Sequence, residues 1–309
     1  MDLMLKFLPT PPAQVIHYQQ PLLFMGSCFA DHISALALRH GLQTLAQPYG
    51  VVFNPISIAG QLQRIISGTL YTEYDLHLNQ ELWHTWEHHT QFSHANKEVL
   101  LQHINQQLTI AHQFIHQPNL VVCITLGSAH IYTLANNPQT IVANCHKYPQ
   151  HVFIKKILTT QTIVSALKQV MQQLPEAQFI FTVSPVRHIK DGLVENNLSK
   201  AILLQALHEL AQTEQQAYYF PAYELVIDQL RDYRFYEADL VHPNSQAINY
   251  VWKQFTATCF DAKTQAYLND MQQLNTLKNH RVMHEGTQAH EKFIQSIVQK
   301  QSEINVKYF

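Results

Sequence analysis

Apolar runs of strand length alternate with amphipathic stretches along most of this 309-residue chain. Pro21 to Met25 predicts a strand and Asp31 to His40 a helix; Leu42 to Leu45 predicts a second short strand and Ile56 to Ile66 a second helix. The run Leu120-Val121-Val122-Cys123-Ile124-Thr125-Leu126 is apolar but for one threonine, the pattern of a strand covered on both faces. Phe179 to Val183 repeats it, and Ala217 to Phe220 is a shorter candidate. Apolar residues recur at helical spacing over Glu98 to His116, Thr160 to Gln173 and Ser199 to Gln212. Strand and helix alternating in this way predict an α/β fold with a central parallel sheet, right-handed crossovers and helices on both faces.

Two regions depart from that rhythm. Tyr71 to His94 alternates polar and apolar residues and predicts a hairpin inserted before the helix that follows. Ala262 to Phe309 is polar, rich in Gln and Lys, and helical in pattern. Three fates are open to it: capping the sheet, packing on a second copy as the arm of a homo-oligomer, or partial mobility. Without a low-complexity linker or an internal repeat, the expectation is one domain over residues 1–262, with residues 71–118 as an insertion and residues 263–309 as a helical C-terminal extension.

Composition narrows the function classes. An apolar fraction of 46% suits a sizeable core, and a formal net charge of −2 leaves no basic footprint for nucleic acid or an anionic membrane. Cys28, Cys123, Cys145 and Cys259 are far apart, with no C-x-x-C pair, which argues against a zinc ribbon or a disulfide framework and for a reducing compartment. No segment approaches the length of a membrane-spanning helix, and the first fifteen residues lack the apolar core of a secretion signal. A cytoplasmic protein is therefore expected.

Ligands of an open parallel sheet bind outside the carboxyl ends of its strands. Ser27, Gly127-Ser128 and Ser184-Pro185 each follow a predicted strand, and Asn54 lies in the loop after the second. Ser27 stands where strand becomes helix. Far downstream, Asp239-Leu240-Val241-His242 places an acid three residues before a base. Ser27 as nucleophile, His242 as general base and Asp239 as the acid that orients it would make a serine hydrolase. The plain structural alternative is a helix cap and a loop tether. An oxyanion hole needs two or three donors, and the backbone N–H of Ser27, Gly50, Asn54 and Gly127 are candidates, although Gly and Asn are also ordinary turn residues. Cys28 reads as a small buried apolar residue rather than a thiol nucleophile.

Gly26-Ser27-Cys28-Phe29-Ala30 spells the signature after which the GSCFA family is named, and that family resembles the SGNH/GDSL hydrolases. The resemblance extends through Asn144-Cys145-His146-Lys147, Ser184 to His188, Asp191-Gly192, Asn196 with Ser199-Lys200-Ala201, Tyr219 to Glu224, Leu230 to Tyr236 and Asp239 to Pro243, covering about Pro21 to Phe255. It implies a three-layer α/β/α fold like that of flavodoxin. It also matches Ser27 to the superfamily's first-block nucleophile, and Asp239 and His242 to its last-block Asp-x-x-His. Gly50 or Gly60 stands where the second-block glycine sits. At the third block the chain departs, reading Gly127-Ser128-Ala129-His130 where Gly-x-Asn-Asp is the pattern. The role of the missing asparagine then falls to Asn54, Asn144 or a backbone amide.

The implied activity is hydrolysis of an ester, such as an O-acyl group on a carbohydrate or related small molecule. An acyltransferase with the same triad and a non-catalytic ligand-binding protein are the rivals. Asn144, His146, Arg187 and His188 are expected to contact substrate. Arg187, Arg231 and Arg234 would either hold an anionic group bidentately or pair with Glu224, Asp228 or Asp232, and pairing is expected for at least two of them. The segment His84-Thr85-Trp86-Glu87-His88-His89, with His94, is metal-compatible but lacks the H-E-x-x-H helix of a zinc peptidase. A metal-dependent hydrolase using His84, His88, His89 or His146 is thus a further alternative, while a rim or lid to the pocket is preferred. No metal and no cofactor is expected.

Overall fold

The computed structural model describes residues 5–280 and 287–309. In chain order its elements are β1 (Leu22–Gly26), α1 (Cys28–Arg39), β2 (Thr44–Ala46), α2 (Pro55–Ser67), β3 (His77–Asn79), β4 (Leu82–His84), α3 (Lys97–Ile115), β5 (Val121–Leu126), β6 (His130–Leu134), β7 (Ile141–Val142), β8 (Phe153–Ile157), α4 (Thr160–Gln173), β9 (Gln178–Val183), α5 (Leu193–Thr213), β10 (Ala217–Tyr219), α6 (Ala222–Glu224, continued as a π-helical turn to Leu230), α7 (Ser245–Cys259), α8 (Ala262–Lys278) and α9 (Gln288–Tyr308). Short polar side chains start most of the long helices. Ser27, Asn54, Thr159, Asn244 and Asp261 each accept a backbone N–H from the first turn, which satisfies donors that have no partner within the helix.

Five strands form a parallel sheet in the order β10-β9-β5-β1-β2. Counted by their sequence order within that sheet, they run 2-1-3-4-5, the doubly wound arrangement. Alternate residues of each strand face opposite ways, so the sheet supports two cores. Leu23, Met25, Val122, Ile124, Phe179 and Phe181 pack with apolar residues of α2, α3, α4 and α5. Leu22, Phe24, Val121, Cys123 and Ile180 pack on the other side with α1, the α6 segment and α7. The result is a three-layer α/β/α fold. Strand order reverses between β1 and β5, and the crevice at such a switch point is where this architecture binds ligands.

The hairpin expected within Tyr71 to His94 is present but short, as β3 paired with β4. A second, antiparallel sheet was not anticipated: β6 lies between β7 and β8, built from residues 130–157. Its strands are two to five residues long and mix exposed lysines with apolar residues, so no sustained periodicity marks them. The polar tail folds as α8 and α9 and packs on the α1 side, where Tyr267, Leu268, Leu274, Ile304 and Tyr308 join the core and Tyr18 Oη donates to the Tyr308 carbonyl at 2.6 Å. Residues 281–286 of that expected extension lie outside the described residues.

Gly26, the last residue of β1, fixes how the chain leaves the sheet. Its φ is +137°, and a Cβ there would lie 2.2 Å from the Thr125 carbonyl oxygen of the neighbouring strand. Gly26→Ala is therefore expected to destabilise the fold by about 1–3 kcal/mol, through backbone strain and overpacking against a main-chain atom. Urea unfolding would register this as a lowered midpoint; an unchanged midpoint would refute the account.

Candidate active site

Everything at the carboxyl edge is organised around the exit from β1. The Gln47 carboxamide pairs with both sides of the Gly26 peptide, accepting its N–H at 3.0 Å and donating to its carbonyl at 3.0 Å. Gln47 itself has φ of +48°. Ser27 is 2% exposed, and its Oγ accepts the Phe29 N–H at 3.3 Å, as a helix cap does. Its backbone N–H donates to the Thr125 carbonyl at 3.0 Å.

The other proposed oxyanion donors are engaged as well. Gly50 N–H donates to Gln47 and Gly127 N–H to Phe53, each at 2.8 Å. Asn54 caps α2, accepting the Ser57 N–H at 2.8 Å and donating to Ser57 Oγ at 2.9 Å. In this conformation the edge is knit together, and no backbone N–H of Ser27, Gly50 or Gly127 points at an open position.

Asp239 and His242 sit together in a tight turn. Asp239 Oδ2 lies 2.6 Å from His242 Nδ1, while Oδ1 accepts the backbone N–H of Val241 at 2.8 Å and of His242 at 3.0 Å. These bonds, the His242 main-chain donor first, hold the Asp239 carboxyl down to about 2. The His242 and Asp239 side chains are 46% and 49% exposed, and among the described residues His242 Nε2 has no partner. Ser27 Oγ and His242 share no hydrogen bond.

The two segments nevertheless occupy one end of the sheet. The 239–242 turn docks on the loop after β9, where Arg187 N–H donates to Val241 at 3.3 Å and the Arg187 guanidinium to Leu240 at 3.1 Å. Next along that loop, His188 tilts against Phe53 at 4.8 Å between ring centroids, and its Nε2 comes within 3.0 Å of where a Gly127 Cβ would be. A side chain at Gly127 would collide with that ring and with Phe53. Gly127 follows β5, which pairs with β1, so Ser27, Gly127 and the loop on which the 239–242 turn docks lie at the same end of the sheet.

One residue of this edge, part of the Ser199-Lys200-Ala201 resemblance motif, was given no role from the sequence. Lys200, on α5, is 2% exposed, and its Nζ donates to the carbonyls of Gly127 at 2.6 Å and Ser184 at 2.8 Å. Burial pushes its ammonium down to about 7. Asn196 and Ser199 lie on the same helix face at the i, i+3, i+4 spacing. Asn196 Oδ1 accepts the His188 N–H at 2.9 Å, and Ser199 Oγ accepts the Ala129 N–H at 2.7 Å. Three polar residues interrupting one face of an apolar helix were the available signal.

Asn144 and His146 fall elsewhere. Asn144 Oδ1 accepts the His146 N–H at 2.9 Å, and the His146 ring stacks on His84 at 4.1 Å with Nε2 at 2.9 Å from the Thr85 carbonyl. They join the small sheet to the hairpin rather than lining the groove beside the dyad. Among the described residues, no group of three or more His, Cys, Asp or Glu side chains is placed to hold a metal ion. Cys28 is partly buried, and burial, reinforced by Asp31, raises its thiol. Of the three arginines, only Arg234 has a carboxylate partner among the described residues, Asp232 at 2.9 Å. Pairing of at least two is thus corrected to one; the guanidinium of Arg187 instead lies over the Tyr236 ring at 4.2 Å.

Among the described residues, a groove of about 880 Å³ lies along α2 and α4, and one of about 710 Å³ lies beside Gln14, Gln20, Gln43 and Asn119; neither contains Ser27, Asp239 or His242. A smaller groove, about 460 Å³, is lined by Asp239, Arg187 and Lys200, and is the one adjoining the dyad.

The GSCFA family model matches residues 21–255. The chain belongs to the GSCFA family. No curated protein and no solved structure matches it. Among the described residues of this GSCFA protein, no helix is long and apolar enough to cross a membrane.

Buried neutral histidines make the fold acid-sensitive. Burial holds His84, His146 and His188 down to about 4 and His88 to about 3. In the unfolded chain each titrates near 6.5, so below that pH the unfolded state binds more protons than the native one. Stability is then full above about pH 6.5 and is lost as pH falls toward 4, with His88 alone contributing about 2 kcal/mol of loss by pH 5. Urea midpoints at pH 7.5 and 5 test this; equal midpoints would contradict it.

Proposed function

We propose that this GSCFA protein is a serine-dependent ester hydrolase of the SGNH/GDSL kind, removing an O-acyl group from a carbohydrate or related small molecule. The observation that carries the reading is the 2.6 Å bond between Asp239 and His242 Nδ1, with Nε2 unpartnered among the described residues at the same end of the sheet as Ser27. That bond fixes the tautomer with the proton on Nδ1 and prepares the ring to accept a second one. Ser27 Oγ attacks the acyl carbon as His242 Nε2 takes its proton. The tetrahedral intermediate then collapses, and His242 returns the proton to the departing alcohol. Water, activated by the same imidazole, releases the acyl group as a carboxylic acid and restores Ser27.

The reaction requires the edge to open. Ser27 must exchange its capping bond for contact with His242, and an oxyanion donor must be freed from its present partner. Those two demands favour one second reading: a ligand-binding protein that keeps the shape of the site without turning substrate over. An acyltransferase would share every residue and differ only in admitting an alcohol in place of water.

A fluorophosphonate probe followed by peptide mass spectrometry distinguishes catalysis from binding. The expected adduct is on Ser27 and is lost in Ser27→Ala; a folded wild-type protein that takes no label supports the binding reading. Asp239→Asn is expected to reduce kcat on short acyl esters by about 10³-fold or more, because the wrong tautomer is then favoured. Activity within a few-fold of wild type would remove Asp239 and His242 from the mechanism.

A further inference from the structure

The groove beside the dyad has a lopsided charge. Its lining includes Arg187 and Lys200, and its one carboxylate is Asp239. That carboxylate is already committed to His242 Nδ1 and two backbone N–H groups. Neither cation meets a carboxylate among the described residues: Lys200 bonds the carbonyls of Gly127 and Ser184, and Arg187 bonds the Leu240 carbonyl. Arg64 and Arg234, by contrast, engage Glu87 and Asp232.

Arg187 also sits over two aromatic rings. Its guanidinium carbon lies 4.2 Å from the centroid of the Tyr236 ring and 5.3 Å from that of Tyr233. A guanidinium offers five N–H donors in a rigid fork, and one contact to Leu240 leaves most of them unassigned. Placement over an aromatic face attracts the cation without consuming its N–H donors, which stay available to an acceptor. A partly buried arginine so placed, with no acid opposite it among the described residues, is built to meet a charge that arrives from outside.

We propose that this groove binds the anionic part of an ester substrate, with Arg187 gripping a carboxylate or phosphate oxygen pair bidentately while the ester linkage reaches the dyad. The catalytic half of this proposal rests on the serine hydrolase reading; the anion-binding half rests on the groove alone. Arg187 thereby selects among esters, favouring those whose acyl or alcohol part carries a negative charge.

The test compares kcat/KM of the full chain for 4-nitrophenyl hemiglutarate, which bears a carboxylate, with that for neutral 4-nitrophenyl butyrate. Wild type is expected to prefer the hemiester by about tenfold to a hundredfold, the range of a charge-assisted bidentate contact. The ratio should collapse toward one in Arg187→Gln and fall part-way in Arg187→Lys. Loss of both activities in equal proportion would show Arg187 to be structural and overturn the proposal, as would a wild-type ratio near one. If neither ester is turned over, the serine reading fails separately, and calorimetric titration of glutarate and of inorganic phosphate decides the groove. Binding that weakens at least tenfold in Arg187→Lys upholds it, with the tighter of the two ligands identifying carboxylate or phosphate as the preferred source. No binding of either overturns it.

Discussion

The carboxyl edge of the sheet depends on one buried ammonium. Lys200 reaches from α5 to the carbonyls that follow β5 and β9, two neighbouring strands of the sheet. Those carbonyls lie past the last ladder bonds of their strands and are hidden from water, so without a donor each would be left unsatisfied. A cation that makes two short bonds there offsets part of the several kcal/mol that burying its charge costs. With Asn196 on His188 and Ser199 on Ala129, a single helix face sets the positions of two strand-end loops, those after β5 and β9. The site is thus an extension of helix packing more than a set of independent loops.

The same stitching explains why the edge is closed. Ser27, Gly50 and Gly127 spend their backbone N–H groups on the carbonyls of Thr125, Gln47 and Phe53, and Asn54 spends its side chain on the first turn of α2. Each bond stabilises the crevice and withholds a donor from a ligand. Catalysis on this scaffold therefore requires exchange of internal partners for substrate, whereas simple recognition through the Arg187 groove does not. The contrast between a committed crevice and an uncommitted arginine is the main chemical asymmetry of the molecule.

Much of the fold was legible because burial on both faces writes continuous apolar runs, as at Leu120 to Leu126 and Phe179 to Val183. The doubly wound order could be anticipated from the alternation and from the GSCFA resemblance. The small sheet of residues 130–157 was not, since short strands exposed on one side leave no sustained period. Within the site, Ser27 and the Asp239–His242 pair could be picked out because each sits at a local junction of recognisable shape. Gln47 could not, and Lys200 stood out only as part of a resemblance motif with no role attached: their importance lies in which distant main-chain groups they meet, and a sequence does not display that. His146 and Asn144 were expected to contact substrate and here tie the small sheet to the hairpin, since polar residues at the end of an edge segment look alike in sequence whether they face a ligand or join two loops.

The Asp239–His242 turn is closed at its base by the pairing of Tyr236 with Pro243 and by the Glu237 N–H on the His242 carbonyl at 2.7 Å, and at its centre by the Asp239 carboxylate. All of these ties are internal to eight residues, while Tyr236 and Val241 pack on the α1-side core and Arg187 supplies hydrogen bonds to Leu240 and Val241. The Asp239 carboxylate and the His242 imidazole are thus bound into one short loop, and their mutual orientation is set by that loop's own main chain rather than by the surrounding fold.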